Sequence, residues 1–306
     1  MEVSGKDEIQ LNVNEIIHCS SVNLKIGESF QVDKQIKEIF RQGSTTYFNA
    51  SRFFPSASKR DVSELYAFVR IADNYVDSIP QDKEGFYRFK NEFELYIKGG
   101  ETGNRVVKSF VSLMQRKSIP VEYVRSFLNS MEMDITKSTY NSLEELLHYV
   151  YGSAEVIGLI MHKILSIEDS ASYYAAILGR SMQFLNFIRD VQEDNLLERI
   201  YLPIDEMREF GLEDLTEKTA MSNPSGFSRF MRLQLDRFFE WDREARLGFR
   251  SIPSRSLVPI KTAQDMYLWT GKKIYRDPMI VFRTKVKPTR VRIVSKVLMN
   301  MVGSKV

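Results

Sequence analysis

The chain has 306 residues, 43% apolar and 27% charged, which is enough to bury one sizeable core or two modest ones and too apolar for a disordered chain. A single cysteine, Cys19, excludes an internal disulfide framework and fits a reducing compartment. Net charge is only +3, but from Thr270 onward ten Lys or Arg stand against one acid, Asp277, leaving the rest of the chain net acidic. A basic end of this kind suits an anionic lipid or a phosphate-bearing substrate; without an RNA-binding signature or zinc-finger spacing, no nucleic-acid partner is expected. The first residues show neither a basic leader nor an apolar h-region, and no apolar run approaches a membrane span, so the expected location is cytoplasmic.

Residues 1–30 are weakly patterned and read as an N-terminal arm, with one domain over 31–306. Helical periodicity then recurs at 33–43, 59–79, 83–98, 103–117, 120–135, 142–166, 169–199, 203–210, 226–249 and 258–275. Pro120 and Pro203 stand where a helix can begin, and "GG" at 99–100 and "SNPSG" at 222–226 punctuate the pattern as loops. Strand-like alternation is scarce, with "PMIVFRTKVKP" at 278–288 expected to be briefly extended. The last segment, "RVRIVSKVLMNMV" at 290–302, reads as a basic amphipathic helix, either lying on a membrane surface or packed on the domain. The expected fold is all-α, a single large helical domain.

Several short matches carry no chemistry. "SASK" at 56–59 has the Ser-x-x-Lys spacing of some acyl-enzymes without the companion motifs. "GGETG" at 99–103 and Gly271-Lys272 lack the context of a nucleotide loop. His18, His148 and His162 have no zinc-ligand company and are assigned structural or surface roles.

Two polar stripes do carry chemistry. In "ELYAFVRIADNYVD", Tyr66, Arg70, Asp73 and Asp77 are spaced four, three and four, one face of a helix, beside the apolar stripe Leu65, Val69, Ala72 and Val76. Carboxylates four apart have Cβ atoms about 5–6 Å from each other and repel by a few tenths of a kcal/mol unless a cation lies between them. "QFLNFIRDVQEDNLLERIYLP" repeats the arrangement with Gln183, Asn186, Asp190 and Asp194 on one face and Phe184, Leu185, Ile188 and Val191 around the rest. A helix so apolar is expected to turn its polar stripe into a cavity. Magnesium takes hard oxygen ligands, keeps several waters and is held by one or two carboxylates plus substrate phosphates, which fits two acid pairs facing one cleft. Arg70, Arg189 and Arg199, with Lys272, Lys273, Arg283 and Lys285 of the tail, are the cations available to a diphosphate.

Three segments, "STTYFNASRFFP…LYAFVRIADNYVD", "YVYGSAEVIGLIM" and "QFLNFIRDVQEDNLLERIYLP", resemble the signature regions of the squalene/phytoene synthase family, in the family's order, over about residues 40–290. The second aspartate region through "RIYLP" resembles phytoene synthases more than eukaryotic squalene synthases. The resemblance implies an isoprenoid-synthase fold with a central cavity and head-to-head condensation of two prenyl diphosphates. It implies Mg2+ (with Mn2+ as a substitute) bound by Asp73 and Asp77 for one substrate, and by Asp190 and Asp194 with Asn186 for the other. It further implies catalytic or phosphate-contacting roles for Ser44, Thr46, Tyr47, Arg70, Gln183, Arg189, Arg199 and Tyr201. Tyr151 is expected to line the reaction centre, with Gly152, Ala154 and Gly158 allowing close approach, and Tyr267, Arg283 and Lys285 to contribute from the C-terminal part. Asn74 replaces a second acid of the family but lies off the Asp73/Asp77 face, and a glycine is common where Leu197 or Glu198 stands.

The expected reaction is therefore phytoene formation from two geranylgeranyl diphosphates, without NADPH. The alternatives are a squalene or dehydrosqualene synthase using farnesyl diphosphate and, more remotely, a non-catalytic assembly relative, which would be expected to lose the acids this chain keeps. So greasy a product also suits peripheral contact with a membrane.

Overall fold

A computed structural model describes residues 36, 38, 39 and 54–303, and the expectations for the N-terminal arm and for Ser44, Thr46 and Tyr47 lie outside the described residues. Fourteen α-helices follow in order from Ser56: α1 (Ser56–Asp77), α2 (Lys83–Ile97), α3 (Arg105–Lys117), α4 (Val121–Thr136), α5 (Leu143–Val150), α6 (Val156–Ile164), α7 (Ser172–Arg189), α8 (Val191–Leu196), α9 (Ile204–Glu209), α10 (Glu217–Ser222), α11 (Pro224–Arg246), α12 (Ser254–Arg276), α13 (Ile280–Arg283) and α14 (Arg290–Gly303). No named strand occurs among the described residues; the sole extended pairing there is a parallel bridge between Thr139 and Ile200. The fold is all-α, as expected.

Local chemistry sets most boundaries. Asp82 accepts from the Gly85 N–H at 2.8 Å to start α2, and Asn104 accepts from Val106 and Val107 to start α3. α4 and α9 begin directly after Pro120 and Pro203, whose fixed φ suits a helix entrance. "SNPSG" is less of a loop than expected, because Asn223 caps α11 and Pro224 occupies its first turn.

The expected helix over 142–166 runs as α5, a π-helical turn at Tyr151–Glu155, and α6. The expected helix over 169–199 is broken. α7 ends at Arg189, Asp190 leaves the helical region at φ −99° and ψ 18°, and α8 is one short segment. α8 then closes with Glu198 N–H on the Asn195 carbonyl and Arg199 N–H on the Asp194 carbonyl, with Glu198 left-handed at φ 55°. This Schellman-type ending normally takes glycine at that position, and here Glu198 makes the left-handed reversal instead. The segment 278–288 is also corrected: Ile280–Arg283 is a short helix, and the chain becomes extended only at Thr284.

Apolar burial falls into two clusters. One gathers Phe68, Phe89, Phe93, Phe110 and Phe127 from α1–α4 with Val156 and Ile160 of α6; the other gathers Tyr149, Phe184, Leu185, Phe227, Phe230 and Phe238 from the later helices. α7 packs closely on α6 and on the π-helical turn before it: a Cβ on Gly158 would lie 2.1 Å from the Ala175 carbonyl oxygen, and one on Gly179 would lie 2.3 Å from that of Ala154. Between the two clusters lies a cavity.

Candidate active site

The cavity has a volume of about 670 Å³ and draws its walls from both clusters: Val62, Leu65, Val76 and Met131 on one side, and Tyr149, Met182, Phe187 and Tyr201 on the other. Its polar lining includes Asp73, Asp77, Asp190, Asp194, Arg70, Arg189, Lys285 and Lys287, and its apolar walls include Ile157, Met161, Leu178 and Ile260. Both stripes therefore open on one space: α1 delivers Arg70, Asp73 and Asp77, while α7, the break at Asp190 and α8 deliver Gln183, Asn186, Asp190 and Asp194.

Each acid pair is divided in the same way. Asp77 accepts from Arg199 Nη1 at 2.9 Å, and Asp190 accepts from Arg189 Nε at 2.8 Å and from its Nη2 at 2.5 Å. Lys285 stands 3.4 Å from Asp190 and hydrogen-bonds Glu193. Among the described residues, no hydrogen bond or ion pair holds the side chains of Asp73 and Asp194. Burial first, then the neighbouring Asp77 charge, lifts the Asp73 carboxyl to about 7. Burial and the charges of Asp190 and Asp77 raise Asp194 well above the usual carboxylate range. Burial would raise Asp190 too, but the Arg189 hydrogen bonds and charge, joined by Lys285, outweigh it and hold that carboxyl low.

These residues fit a hard divalent cation. Asp73 and Asp194 are unpaired oxygen donors facing like charges, and Asn186 Oδ1 is buried with no hydrogen-bond partner. Among the described residues, no three or more His, Cys, Asp or Glu form a ready cage. The donor set is thus that of a cation completed by phosphate oxygens and water.

A further buried carboxylate joins the site. Asp134 on α4 accepts from Tyr149 Oη and Tyr201 Oη, both at 2.8 Å. Arg199 binds the Val76 carbonyl at 2.6 Å and the Asp134 carbonyl at 3.2 Å, besides Asp77 and the Tyr201 oxygen. Burial raises Asp134 to about 6, against the lowering effect of Arg199 and the two phenols.

The squalene/phytoene synthase family model matches residues 40–292. The chain belongs to this family. It is 26% identical to the 15-cis-phytoene synthase of Pantoea ananas over 249 residues, covering 78% of this chain and 80% of that protein. It is 28% identical to that of Enterobacter agglomerans over 248 residues, covering 76% and 82%. In fold it matches a dehydrosqualene synthase crystallised with a ligand at a TM-score of 0.81 and 20% identity, covering 91% of this chain and 98% of that one. A squalene synthase of Alicyclobacillus acidocaldarius matches at 0.72 and 21%, covering 80% and 94%.

Of the family-derived positions among the described residues, the cavity gathers Arg70, Asp73, Asp77, Gln183, Asn186, Arg189, Asp190, Asp194, Arg199, Tyr201, Tyr267 and Lys285. Two expectations are corrected. Tyr151 does not line the cavity; it is 42% exposed, because Tyr149, Ser153 and Ile157 form the inward face at a spacing of four and a residue two positions from Tyr149 points elsewhere. Arg283 is exposed and pairs with Asp277, so of the Arg283/Lys285 pair only Lys285 reaches the site. Among the lining residues not singled out from sequence are Tyr149, Lys287 and Asp134. Asp134 did leave a trace, an acid in helical register with the apolar Phe127 and Met131. His162 is a cavity-wall residue, buried and 3.6 Å from Asp169.

Proposed function

We propose that this chain is a phytoene synthase-like prenyltransferase, condensing two geranylgeranyl diphosphates head to head, through a cyclopropyl diphosphate, to phytoene. The observation that carries the reading is the convergence of four aspartates from two separate helical segments on one cavity whose other walls are apolar. The names of the curated relatives support the C20 substrate.

Mg2+, when bound, would neutralise diphosphate charge as its C–O bond breaks. Asp73, Asp77, Asp190, Asp194 and Asn186 are the residues that would hold it. Arg70, Arg189, Lys285 and Lys287 bring positive charge to the same lining and would bind the diphosphate oxygens. The allylic cation left by the first ionisation is attacked by the double bond of the second substrate, and loss of one proton closes the cyclopropane; the second diphosphate then leaves, the carbon skeleton rearranges, and loss of a second proton gives the product. Ile157, Met161, Leu178 and Ile260 exclude the water that would quench either cation. Phe187 and Tyr201, stacked with centroids 4.3 Å apart, and Tyr149 beside them supply unreactive ring faces. Burying one C20 chain is worth at most about 16 kcal/mol before ordering costs, which explains so apolar a wall.

Peripheral attachment to an anionic membrane is part of the same proposal. Ile293, Val297 and Asn300 of α14 are buried, with Asn300 bonded to Thr262 and Asp265 of α12. An adjoining face exposes Val291, Val294, Leu298 and Met301, with Arg290 beside it, while Arg292 lies over the Trp269 ring and Lys296 stands 3.4 Å from Asp265 of α12. Both sequence-level alternatives for this helix are thus compatible: it packs by one face and offers a second.

The test is incubation of the purified chain with C15 and C20 diphosphates and Mg2+, with and without NADPH. A C40 hydrocarbon from C20 without NADPH is expected. Product from C15 alone overturns the substrate assignment, and a C15 product requiring NADPH indicates squalene.

A further inference from the structure

Asp134 belongs to neither aspartate stripe, yet the rear wall of the cavity is organised around it. It is 6% exposed, and both carboxylate oxygens are taken by phenols, Oδ2 by Tyr149 and Oδ1 by Tyr201. The Arg199 guanidinium beside it binds its main-chain carbonyl, as does Gln81 at 2.8 Å. Neither phenol has freedom to turn. Tyr201 is stacked between Phe187 and Tyr140, with centroids 4.3 and 5.9 Å away and both interplanar angles 17°, and the Tyr149 ring lies 5.4 Å from it.

Packing alone does not call for a carboxylate here, since an apolar side chain would fill the space without the cost of burying a charge. The acid fixes hydrogen-bond polarity. A phenol has one proton to give, and both phenols give theirs to Asp134.

We propose that Asp134 is a positioning residue for the reaction. It locks the Tyr149 and Tyr201 rings against the cavity and turns both phenol protons toward itself, so that the cationic chain meets ring faces and oxygen lone pairs rather than acidic O–H groups. This rests on the prenyltransferase reading. It predicts a role in the cation-bearing steps and none in holding diphosphate, because the cationic side chains of the lining serve the latter.

The test uses the full-length chain and two readouts. In steady-state kinetics, Asp134→Asn is expected to lower kcat by about tenfold or more while leaving KM within about threefold, since a charge-assisted hydrogen bond is at stake and ground-state binding is not. Adding Tyr201→Phe to Asp134→Asn is expected to cost less than about a further twofold, because the two act as one unit. A raised KM with unchanged kcat, or losses that multiply, would overturn the proposal.

The second readout needs no turnover: Asp134→Asn should weaken the tyrosine near-UV circular dichroism while the far-UV spectrum is kept. An unchanged near-UV spectrum would overturn the proposal even if no prenyl diphosphate proved to be a substrate, whereas an inactive wild type with the expected spectral change would sink only the prenyltransferase reading. Where Asp134→Asn does not fold, the Tyr149→Phe/Tyr201→Phe double variant takes its place, with the same kcat loss expected and wild-type kcat overturning.

Discussion

Arg199 and Asp77 form an ion pair at 2.9 Å between residues 122 apart in sequence. The same guanidinium binds the Val76 carbonyl at the C-terminal end of α1, where a helix favours positive charge. The turn after the second acid segment is thereby clipped to the end of the first acid helix, which holds the two aspartate pairs on opposite sides of one cavity. Because Arg199 is buried and divides its donors among a carboxylate, two carbonyls and a phenol, its fork geometry matters as much as its charge. Arg199→Lys is expected to destabilise the fold by about 1–3 kcal/mol, read as a lower urea midpoint at constant slope.

Asp73 should make apo-protein stability fall with pH. Its carboxyl is raised from 3.8 to about 7 in the fold, so between those values the folded state holds a proton that the unfolded state has lost. Stability is then lost as pH rises from about 4 to 7, and no further above it. Asp194 and Asp134 act in the same direction. Melting temperature against pH in a chelator should show this slope, and Asp73→Asn should flatten it. A slope identical in the variant would exclude Asp73 as its source.

Asp73→Asn and Asp190→Asn are each expected to cut turnover by about a hundredfold or more, through loss of charge on the metal-holding oxygens. Asp73→Asn should melt no lower than wild type at pH 8, because it removes a buried charge facing Asp77. Asp190→Asn should melt lower, because it leaves Arg189 without its bidentate partner. Full activity in either variant would remove the metal assignment.

Gly179→Ala tests the close contact between α7 and the π-helical turn. The added methyl would stand 2.3 Å from the Ala154 carbonyl oxygen, so the backbones must separate. A loss of about 1–3 kcal/mol in chemical denaturation is expected.

The outer face of α14 is tested by vesicle flotation. The full chain is expected to float with anionic vesicles and not with neutral ones, and Leu298→Glu should abolish flotation without changing the melting temperature, since Leu298 is 58% exposed. Absence of binding to anionic vesicles in the wild type would end the membrane proposal.

Much of this molecule was readable before any coordinates, because the signals are local. A helix repeats every 3.6 residues, so Leu65, Ala72 and Val76 mark the buried side of α1, and Arg70, Asp73 and Asp77 mark a polar one. Where periodicity was the sole guide it overran: it could not see the break at Asp190 or the left-handed Glu198, since both depend on backbone turns that the apolar spacing does not encode.

The sequence by itself determined the all-α class, the two acid pairs and the hard-oxygen chemistry they suit, because helix periodicity and ligand type are properties of short stretches. Only the tertiary structure decided which arginine holds which aspartate, that Tyr149 rather than Tyr151 faces inward, and that Lys285 reaches the cavity while Arg283 does not. It alone also brought Asp134 from a third helix to two phenols, 15 and 67 residues away. Those choices depend on how separate helices cross, and burial then gives large consequences to contacts between residues that no local pattern connects.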